Sequence, residues 1–482
     1  MDTNNNEFSS SHEIASAGYS VTARLKIKNR PGNFLKIVER VAELSASIAE
    51  VTLLYSDYNY NIRDVTINCK NEKHSRQLLE ALKTIETATL ENWSDDTFKA
   101  HEKGKLEIVP KFHLSTADEL SRAYTPGVAR VCNKIYEDPS SVYDYTIKNN
   151  TVAVITDGSA VLGLGDIGPE AAMPVMEGKA VLFKQFAGVD AFPICLNTQD
   201  TEELIKTIKY LSPTFGGINL EDISAPRCFE IEDRLRKELD IPVFHDDQHG
   251  TAVVVLAGLI NSLKIVGKKL DSIKVVVNGF GAGGVACTKM LLGAGVKNII
   301  ACDRAGIVYR GRGERMNPVK EQLLSQTNPD NMKGQVEDAL KGADVFIGVS
   351  KPGSITRAMV QSMAKDPIVF ALANPVPEIL PDEIRDIARV IATGRSDYAN
   401  QINNVLCFPG IFKGALACRA SDITENMKIA AAEAIASSVS ADELHEDYVI
   451  PGIFRGDIAA KVAAGVEAAA IKDGVSKNKN KS

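Results

Sequence analysis

Residues 274–291 read KVVVNGFGAGGVACTKML, an apolar run followed directly by a glycine-rich turn and then by a helix-forming segment. Gly279, Gly281 and Gly284 form a G-x-G-x-x-G pattern. In such a pattern the first glycine permits a tight turn, the second lets the backbone approach a pyrophosphate, and the third allows close helix packing. Because a helix N-terminus also offers free N–H groups to phosphates, this segment predicts a dinucleotide-binding strand, turn and helix.

Asp303 ends the next apolar run, NIIACD, 24 residues after Gly279. An acidic residue at this place can accept hydrogen bonds from the adenosine ribose, which favours NAD as the cofactor. Arg304, Arg310 and Arg312 follow closely and could instead hold the 2′-phosphate of NADP. The sequence therefore predicts NAD, with NADP as the alternative.

The apolar runs around this motif predict two α/β domains. In the block 251–425, which would bind the dinucleotide, strands are predicted near 274–278, 298–302, 344–348, 368–372 and 389–392. In the block 105–250 they are predicted at 151–156, 189–195, 217–220 and 241–245. Helical stretches separate the strands, which indicates parallel sheets, and the spacing in 251–425 is typical of a doubly wound, Rossmann-type sheet.

A second G-x-G-x-x-G pattern occurs at Gly163, Gly165 and Gly168. It starts seven residues after its predicted strand ends, and Pro169 and Pro174 are expected to interrupt any helix that follows at once. We therefore interpret this copy as a loop that could line the substrate site, and not as a second dinucleotide loop.

Two acidic pairs follow predicted strands of the block 105–250. Glu221-Asp222 comes after GINL, and Asp246-Asp247 comes after IPVFH. The carboxyl ends of parallel strands share one edge of a sheet, so the two pairs can converge there. Three carboxylates without a nearby cysteine suit Mg²⁺ or Mn²⁺ better than zinc. The alternative is that Asp247 only caps the helix predicted to begin near GTAVVVLAGL.

The N-terminal block, 19–97, alternates between strand and helix patterns. After a first strand and the turn NRPG (29–32), further strands are predicted near 48–55, 62–69 and 88–93, with helices between them. The order βαββαβ predicts a ferredoxin-like split unit. At the other end, Ala-rich helices are predicted within 426–472, packing back on the core. The polar termini, 1–18 and 473–482, are predicted to be disordered.

Composition excludes several classes of function. The net charge of −7 argues against a nucleic-acid or anionic-membrane partner, because such partners need a basic face. The eight cysteines contain no CxxC pair, so neither a zinc site nor a disulfide framework is indicated. No signal-peptide pattern is seen, and no apolar run is expected to be long enough to cross a membrane. These features predict a cytoplasmic protein.

Eight motifs occur in an order that gives the chain its most specific resemblance. They are AYTPGVA (123–129), TDGSAVLGLGDIG (156–168), EGKA (177–180), NLEDI (219–223), HDDQHGTA (245–252), VNGFGAGG (277–284), ALANPVPE (371–378) and NNVLCFPGIFKGAL (403–416). Over roughly 105–470 the chain resembles the malic enzyme family in its shorter bacterial-type form. The resemblance implies an oxidoreductase that converts L-malate to pyruvate and CO₂ with NAD(P) and Mg²⁺ or Mn²⁺.

The resemblance also implies a role for each matching residue. Tyr124 matches the general acid that protonates C3 of the enolate, and Lys179 matches the base that takes the C2 hydroxyl proton. The metal ligands fall on Glu221, Asp222 and Asp247, Asp246 would support the site, and Asn374 and Asn404 would bind substrate. Tyr124 must start protonated, and Lys179 can act as a base only if burial or nearby positive charge lowers its pKa.

One position departs from larger members of the family. They carry an arginine in a T-D-G-x-R segment that helps to bind a malate carboxylate, and Ala160 occupies that position here. Another group must then pair with the carboxylate. The departure agrees with the shorter form of the family, whose members generally lack this arginine.

With its NRPG turn, the block 19–97 resembles an ACT domain, a small-molecule-sensing module that would bind an effector. A packing or dimerisation domain without a ligand is the alternative. The family resemblance further implies a homo-oligomer, a dimer or higher. Three other functions stay open: a dehydrogenase without the acidic metal site, a malolactic or oxaloacetate-decarboxylating enzyme, and a catalytically inactive metabolite sensor.

Overall fold

The structure, a computed structural model, describes residues 15–161 and 163–478. The chain divides into two compact units, Met1–Glu107 and Ile108–Ser482. The elements of the first unit are β1 (Ser16–Lys28), α1 (Asn33–Glu43), β2 (Ser47–Ser56), β3 (Tyr60–Cys69), α2 (Glu72–Lys83), β4 (Ala88–Asp95) and α3 (Asp96–His101). Its strands form an antiparallel sheet in the order β2-β3-β1-β4.

The core of this unit is formed in part by every second residue of β1. Val21, Ala23, Leu25 and Ile27 alternate with more exposed residues and are buried with apolar side chains of α1 and α2. The predicted order βαββαβ is confirmed. The predicted disorder of 1–18 is wrong from Ser16 onward, because β1 begins there and pairs with β3; residues 1–14 lie outside the described part of the chain.

Three short helices open the second unit: α4 (Ala117–Ala123), α5 (Val128–Glu137) and α6 (Val142–Tyr145). The first sheet and its helices follow as β5 (Thr151–Thr156), α7 (Pro169–Ala187), β6 (Asp190–Cys195), α8 (Thr201–Leu211), β7 (Gly217–Leu220), α9 (Arg227–Glu238), β8 (Val243–His245) and α10 (Asp246–Val266). The strands are parallel in the order β6-β5-β7-β8, as predicted. β5 and β7 are buried throughout, which explains their nearly continuous apolar sequences.

The second sheet of this unit has six strands. Its elements are β9 (Lys274–Asn278), α11 (Ala282–Gly293), β10 (Asn298–Asp303), β11 (Gly306–Ile307), α12 (Pro318–Leu323), α13 (Val336–Leu340), β12 (Val345–Gly348), α14 (Arg357–Gln361), β13 (Ile368–Ala371), α15 (Pro381–Ile384) and β14 (Val390–Thr393). The order is β11-β10-β9-β12-β13-β14, parallel except for β11. The strand order reverses at β9, so the glycine-rich turn lies at the switch point and the Rossmann-type prediction is confirmed.

The long helix α10 joins the two sheets. Its apolar residues share one core with Val152 and Val154 of the first sheet and Val275 and Val277 of the second. The predicted boundary between residues 250 and 251 falls inside this helix, which packs against both sheets. α10 is also long and apolar enough to span a membrane, contrary to the composition argument, but most of it is buried inside the protein.

The remaining elements are α16 (Phe408–Ala417), α17 (Glu425–Ser437) and α18 (Ile458–Lys472), which pack on one another and on α7 and α10. The predicted disorder of 473–482 is wrong for 473–478. Ser476 forms a β-bridge with Ala420, and Lys477 Nζ donates to the Asp240 carbonyl at 2.6 Å. Residues 479–482 lie outside the described part of the chain.

The loop with the second glycine pattern also differs from expectation. Pro169 and Pro174 were expected to interrupt a helix, but α7 begins at Pro169 and contains Pro174. A proline fits the first turn of a helix because the N–H it lacks has no partner inside the helix there. The loop therefore leads straight into α7, which carries Lys179.

Candidate active site

Three carboxylates converge where β7 and β8 end. Glu221 and Asp222 directly follow β7, and Asp247 lies in the first turn of α10, directly after β8. Glu221, Asp222 and Asp247 each offer an oxygen, and these oxygens lie within 4.8 Å of one another. Asp222 adopts a left-handed φ of 53°, and its backbone N–H donates to Asp247 Oδ2 at 2.8 Å. The predicted convergence of the two acidic pairs is thus observed.

Lys179 reaches this cluster from α7. Its Nζ lies 2.6 Å from Asp246 Oδ2, 2.9 Å from Glu221 Oε1 and 4.2 Å from the centroid of the Phe408 ring. The Lys179 side chain is only 10% exposed and that of Asp246 is fully buried. A lysine enclosed between two carboxylates and an aromatic ring is no solvated helix residue, so the geometry favours a role in chemistry.

The pKa values of Lys179 and Glu221 depend on neighbouring charges as well as on burial. Burial alone would lower the pKa of Lys179, but the carboxylates of Asp246 and Glu221 raise it above its usual value. Burial alone therefore does not give Lys179 the lowered pKa that a base requires. The pKa of Glu221 is raised well above its usual range, mainly by burial and also by the neighbouring acidic residues. The positive charge of Lys179 lowers the pKa of Glu221 but does not cancel these effects. The cluster thus holds more negative charge than its single lysine offsets.

Asp246 is fixed from several sides. Asn404 Nδ2 donates to Asp246 Oδ2 at 3.1 Å, and Thr251 Oγ1 donates to Asn404 Oδ1 at 3.3 Å. A Cβ at Gly250 would lie 1.9 Å from Asp246 Oδ1, so any larger residue there would displace the Asp246 carboxylate. Asp246 therefore supports Lys179, and Asn404 belongs to the same cluster.

Two predicted residues do not join this cluster. Tyr124 ends α4 and is 67% exposed, and among the described residues no hydrogen bond links its hydroxyl to Lys179 or to the carboxylates. Asn374 is exposed after β13, next to Gly394 and to Gly163 of the second glycine pattern. The structure thus gathers Lys179 and the acidic residues but not these two side chains.

The dinucleotide turn lines a cavity of about 810 Å³. Gly279 has a φ of 107°, and a Cβ at Gly284 would lie 2.1 Å from the Gly279 carbonyl oxygen, so both positions require glycine. Gly281 lies on the cavity wall, as expected for a backbone that approaches a pyrophosphate. A Cβ at Gly283 would lie 3.4 Å from the Asp247 carbonyl oxygen, so the first turn of α11 comes near the turn that carries a candidate metal ligand.

Asp303 also lines this cavity, but it is already paired. Arg312 Nη1 donates to Asp303 Oδ1 at 2.9 Å, and Lys320 Nζ donates to Asp303 Oδ2 at 2.6 Å. Burial opposes ionisation of Asp303, but these two hydrogen bonds prevail and lower its pKa. Arg310, a candidate for binding a 2′-phosphate, instead donates to the backbone carbonyls of Leu324 and Pro329.

Sequence reasoning missed three residues that hold these sites. Lys320 lies 17 residues after Asp303, and no local pattern links the two. Asn219 Nδ2 donates to Glu221 Oε2 at 2.8 Å and orients that carboxylate. Glu378 is fully buried and accepts the backbone N–H groups of Ser350 and Ala373, which follow β12 and β13. The only available signal was that Asn219 and Glu378 lie inside the motifs quoted for the family.

Comparisons with known proteins agree with this geometry. Residues 103–236 match the family model "Malic enzyme, N-terminal domain", and residues 248–471 match "Malic enzyme, NAD binding domain". The NAD-dependent malic enzyme of Geobacillus stearothermophilus is 57% identical over 464 residues, 96% of this chain and 97% of that protein. The bifunctional malic/malolactic enzyme of Bacillus subtilis is 60% identical over 78% of this chain and 92% of its own length.

The fold agrees as well. The malic enzyme from Pyrococcus horikoshii, known from a crystal structure, has 52% sequence identity to this chain. The two structures superpose with a TM-score of 0.76 over 78% of this chain and 89% of the Pyrococcus chain. Lys179, Glu221, Asp222 and the dinucleotide turn lie within the regions that the two family models match, and Asp246 and Asp247 lie in the short interval between those regions. The chain is a member of the malic enzyme family.

Proposed function

We propose that this chain oxidises L-malate with NAD and decarboxylates the product to pyruvate and CO₂, in a reaction that depends on a divalent cation. The observation that carries the proposal is the buried Lys179, held between Asp246 and Glu221 beside the carboxylates at the end of the first sheet. The relative that matches nearly the whole chain is named an NAD-dependent malic enzyme, which supports NAD as the preferred cofactor.

The carboxylate cluster fits a hard cation. Glu221, Asp222 and Asp247 supply oxygen ligands only, and their close approach concentrates negative charge that one lysine does not balance. Oxygen-rich sites of this kind suit Mg²⁺ or Mn²⁺. When bound, such a cation supplies Lewis-acid stabilisation of the negative charge that develops on the substrate during decarboxylation.

The other steps belong to side chains of the protein. Lys179 must be deprotonated to accept a proton from the C2 hydroxyl, and a cation held by Glu221, Asp222 and Asp247 would offset the carboxylates that raise the pKa of Lys179. Asp246 Oδ2, 2.6 Å from Lys179 Nζ, holds the amine in place. Asn404 donates to the same Asp246 oxygen and can present its amide to a substrate carboxylate. Asn374 is proposed to bind the substrate, and Tyr124 to protonate C3 of the enolate.

One assay tests the proposal against the alternatives. With L-malate, NAD and Mn²⁺, we expect reduced nicotinamide and pyruvate in equal amounts, a smaller rate with NADP, and no reaction after chelation of the metal. A malolactic reaction, suggested by the bifunctional Bacillus subtilis relative, would yield lactate without net NADH. Lactate as the only product, or full activity in the presence of a chelator, would contradict the proposal.

We propose that the chain is a homo-oligomer and that Tyr124 acts in the active site of a second copy. Tyr124 is 67% exposed, α5 buries none of its residues, and Ile108 and Tyr136 are 85% and 88% exposed. Exposed apolar side chains concentrated in one stretch of a chain are typical of a surface that another protein covers. The base and the acid of one active site would then come from different chains.

Hybrid dimers test this arrangement. Chains with Tyr124→Phe and chains with Lys179→Ala, each inactive alone, are co-expressed with different tags and purified as heterodimers. If the tyrosine acts across the interface, one of the two sites is intact and about half of the wild-type activity returns. Heterodimers as inactive as either parent would show that both residues serve the same chain.

We also propose that the ferredoxin-like unit is an ACT-like sensor of a small molecule. It forms a compact unit of its own, and neither family model extends into residues 1–102. We expect at least one amino acid or related metabolite to change the activity of the intact chain and not that of a chain starting at residue 103. If no metabolite of this class alters the activity of the intact chain, the unit has only a packing role.

A further inference from the structure

A second cluster of buried charged residues lies behind the active site and takes no part in the proposed chemistry. It joins Glu232 on α9, His249 on α10 and Lys428 on α17, and the Lys428 side chain is only 1% exposed. Glu232 Oε1 lies 2.7 Å from His249 Nε2, and Lys428 Nζ lies 3.1 Å from His249 Nδ1. Lys428 Nζ also donates to Glu425 Oε1 at 2.7 Å.

The contacts of His249 decide which of its two ring nitrogens carries the proton. A charged lysine can only donate, so Nδ1 of His249 must accept from Lys428. Nδ1 therefore carries no proton, so Nε2 carries it and faces Glu232 Oε1 at 2.7 Å. The imidazole thus has one tautomer and one ring orientation, which are set by Lys428 on one side and Glu232 on the other.

The same carboxylate holds a neighbouring residue of α10. Gln248 Nε2 donates to Glu232 Oε2 at 3.1 Å, so the two oxygens of Glu232 contact two consecutive residues. Those residues directly follow Asp246 and Asp247 in the first turn of α10. The turn that carries a candidate metal ligand is thereby tied to α9 and, through Lys428, to α17.

Stability alone does not explain this cluster. Burying charged groups removes their hydration, and apolar side chains of similar size at such positions are often equally stable or more so. What apolar side chains cannot supply is directional contact that fixes the rotation and position of one helical turn. We propose that Glu232 and Lys428 are positioning residues that set the geometry of Asp247 in the cation site. This inference rests on the proposed function, in which Asp247 is a cation ligand.

The test is Mn²⁺ affinity, measured by calorimetric titration of the full chain without substrate. We expect Lys428→Met and Glu232→Gln each to raise the Mn²⁺ dissociation constant by about tenfold, as found for groups that orient metal ligands from behind. At saturating Mn²⁺ most of the turnover should return, because neither residue contacts the substrate in the proposed mechanism. Glu232→Gln is nearly isosteric and keeps the test possible if Lys428→Met does not fold.

Lys148 provides a matched control. It is also buried, and its Nζ donates to the backbone carbonyls of Ser212, Pro213 and Phe215, away from α10. Lys148→Met should lower the melting temperature and leave Mn²⁺ affinity unchanged. If the folded Lys428→Met and Glu232→Gln proteins bind Mn²⁺ as the wild type does, the positioning role is refuted. If the wild type itself binds no Mn²⁺, the proposed cation site fails first.

Discussion

Lys179→Arg should lower kcat for malate oxidation by about 10²–10⁴-fold, the usual contribution of a general base. Arginine keeps the positive charge between Asp246 and Glu221, so the buried acids remain compensated and the protein should fold. Its guanidinium does not lose a proton in proteins, so it cannot accept one from the C2 hydroxyl. The measurement is the initial rate of NADH formation at saturating malate and Mn²⁺, with NAD affinity determined separately by fluorescence.

Lys184→Arg is the matched control, because Lys184 lies on the same helix. Its side chain is 63% exposed and pairs with Asp190 at the surface, where an ion pair contributes little. This variant should keep wild-type turnover. A Lys179→Arg enzyme within about tenfold of the wild-type kcat would refute the assignment of Lys179 as the base.

Asp247→Asn should weaken Mn²⁺ binding by more than about 100-fold and abolish turnover at ordinary metal concentrations, since even residues that only support a ligand contribute 10–100-fold. The amide keeps an oxygen that can accept the backbone N–H of Asp222, so the local fold should survive. It removes the negative charge that makes this side chain a ligand for a hard cation. Calorimetric titration with Mn²⁺ measures the loss directly.

The corresponding control is Asp233→Asn on α9, where the carboxylate is exposed and pairs with Lys237 one turn away. It should bind Mn²⁺ with wild-type affinity. NAD binding should be unchanged in both variants, because the cofactor turn is intact in each. Retention of wild-type Mn²⁺ affinity by Asp247→Asn would mean that the cation, if any, binds elsewhere.

Much of the site could be predicted because parallel sheets order their strand ends. GINL and IPVFH are each followed by two acidic residues, and the neighbouring positions of β7 and β8 bring Asp222 and Asp247 into contact. The glycine-rich turn could also be predicted, because a side chain at Gly279 or Gly284 would clash with nearby backbone atoms. These predictions depend on local sequence and on one general rule of sheet geometry.

The remaining features depend on contacts between distant segments. The partners of Lys179 lie 42 and 67 residues away along the chain, at positions 221 and 246, and no local pattern indicates that two carboxylates raise its pKa. The exposure of Tyr124 depends on which other segments of the chain pack over it, and the spacing of residues in the sequence does not show this. The packing of α10 against both sheets has a similar cause, because a helix that is apolar on all sides has no polar face to show which elements it contacts.

The continuous helix α10 restricts how this protein can open to admit its ligands. Its first turn carries Asp247, and its length is packed against both sheets in one apolar core. Swinging the dinucleotide half away from the catalytic half would expose part of that core to water, which is energetically unfavourable. We therefore expect large rotations about α10 to be rare, and amide protons of α10 should be among the last to exchange with solvent.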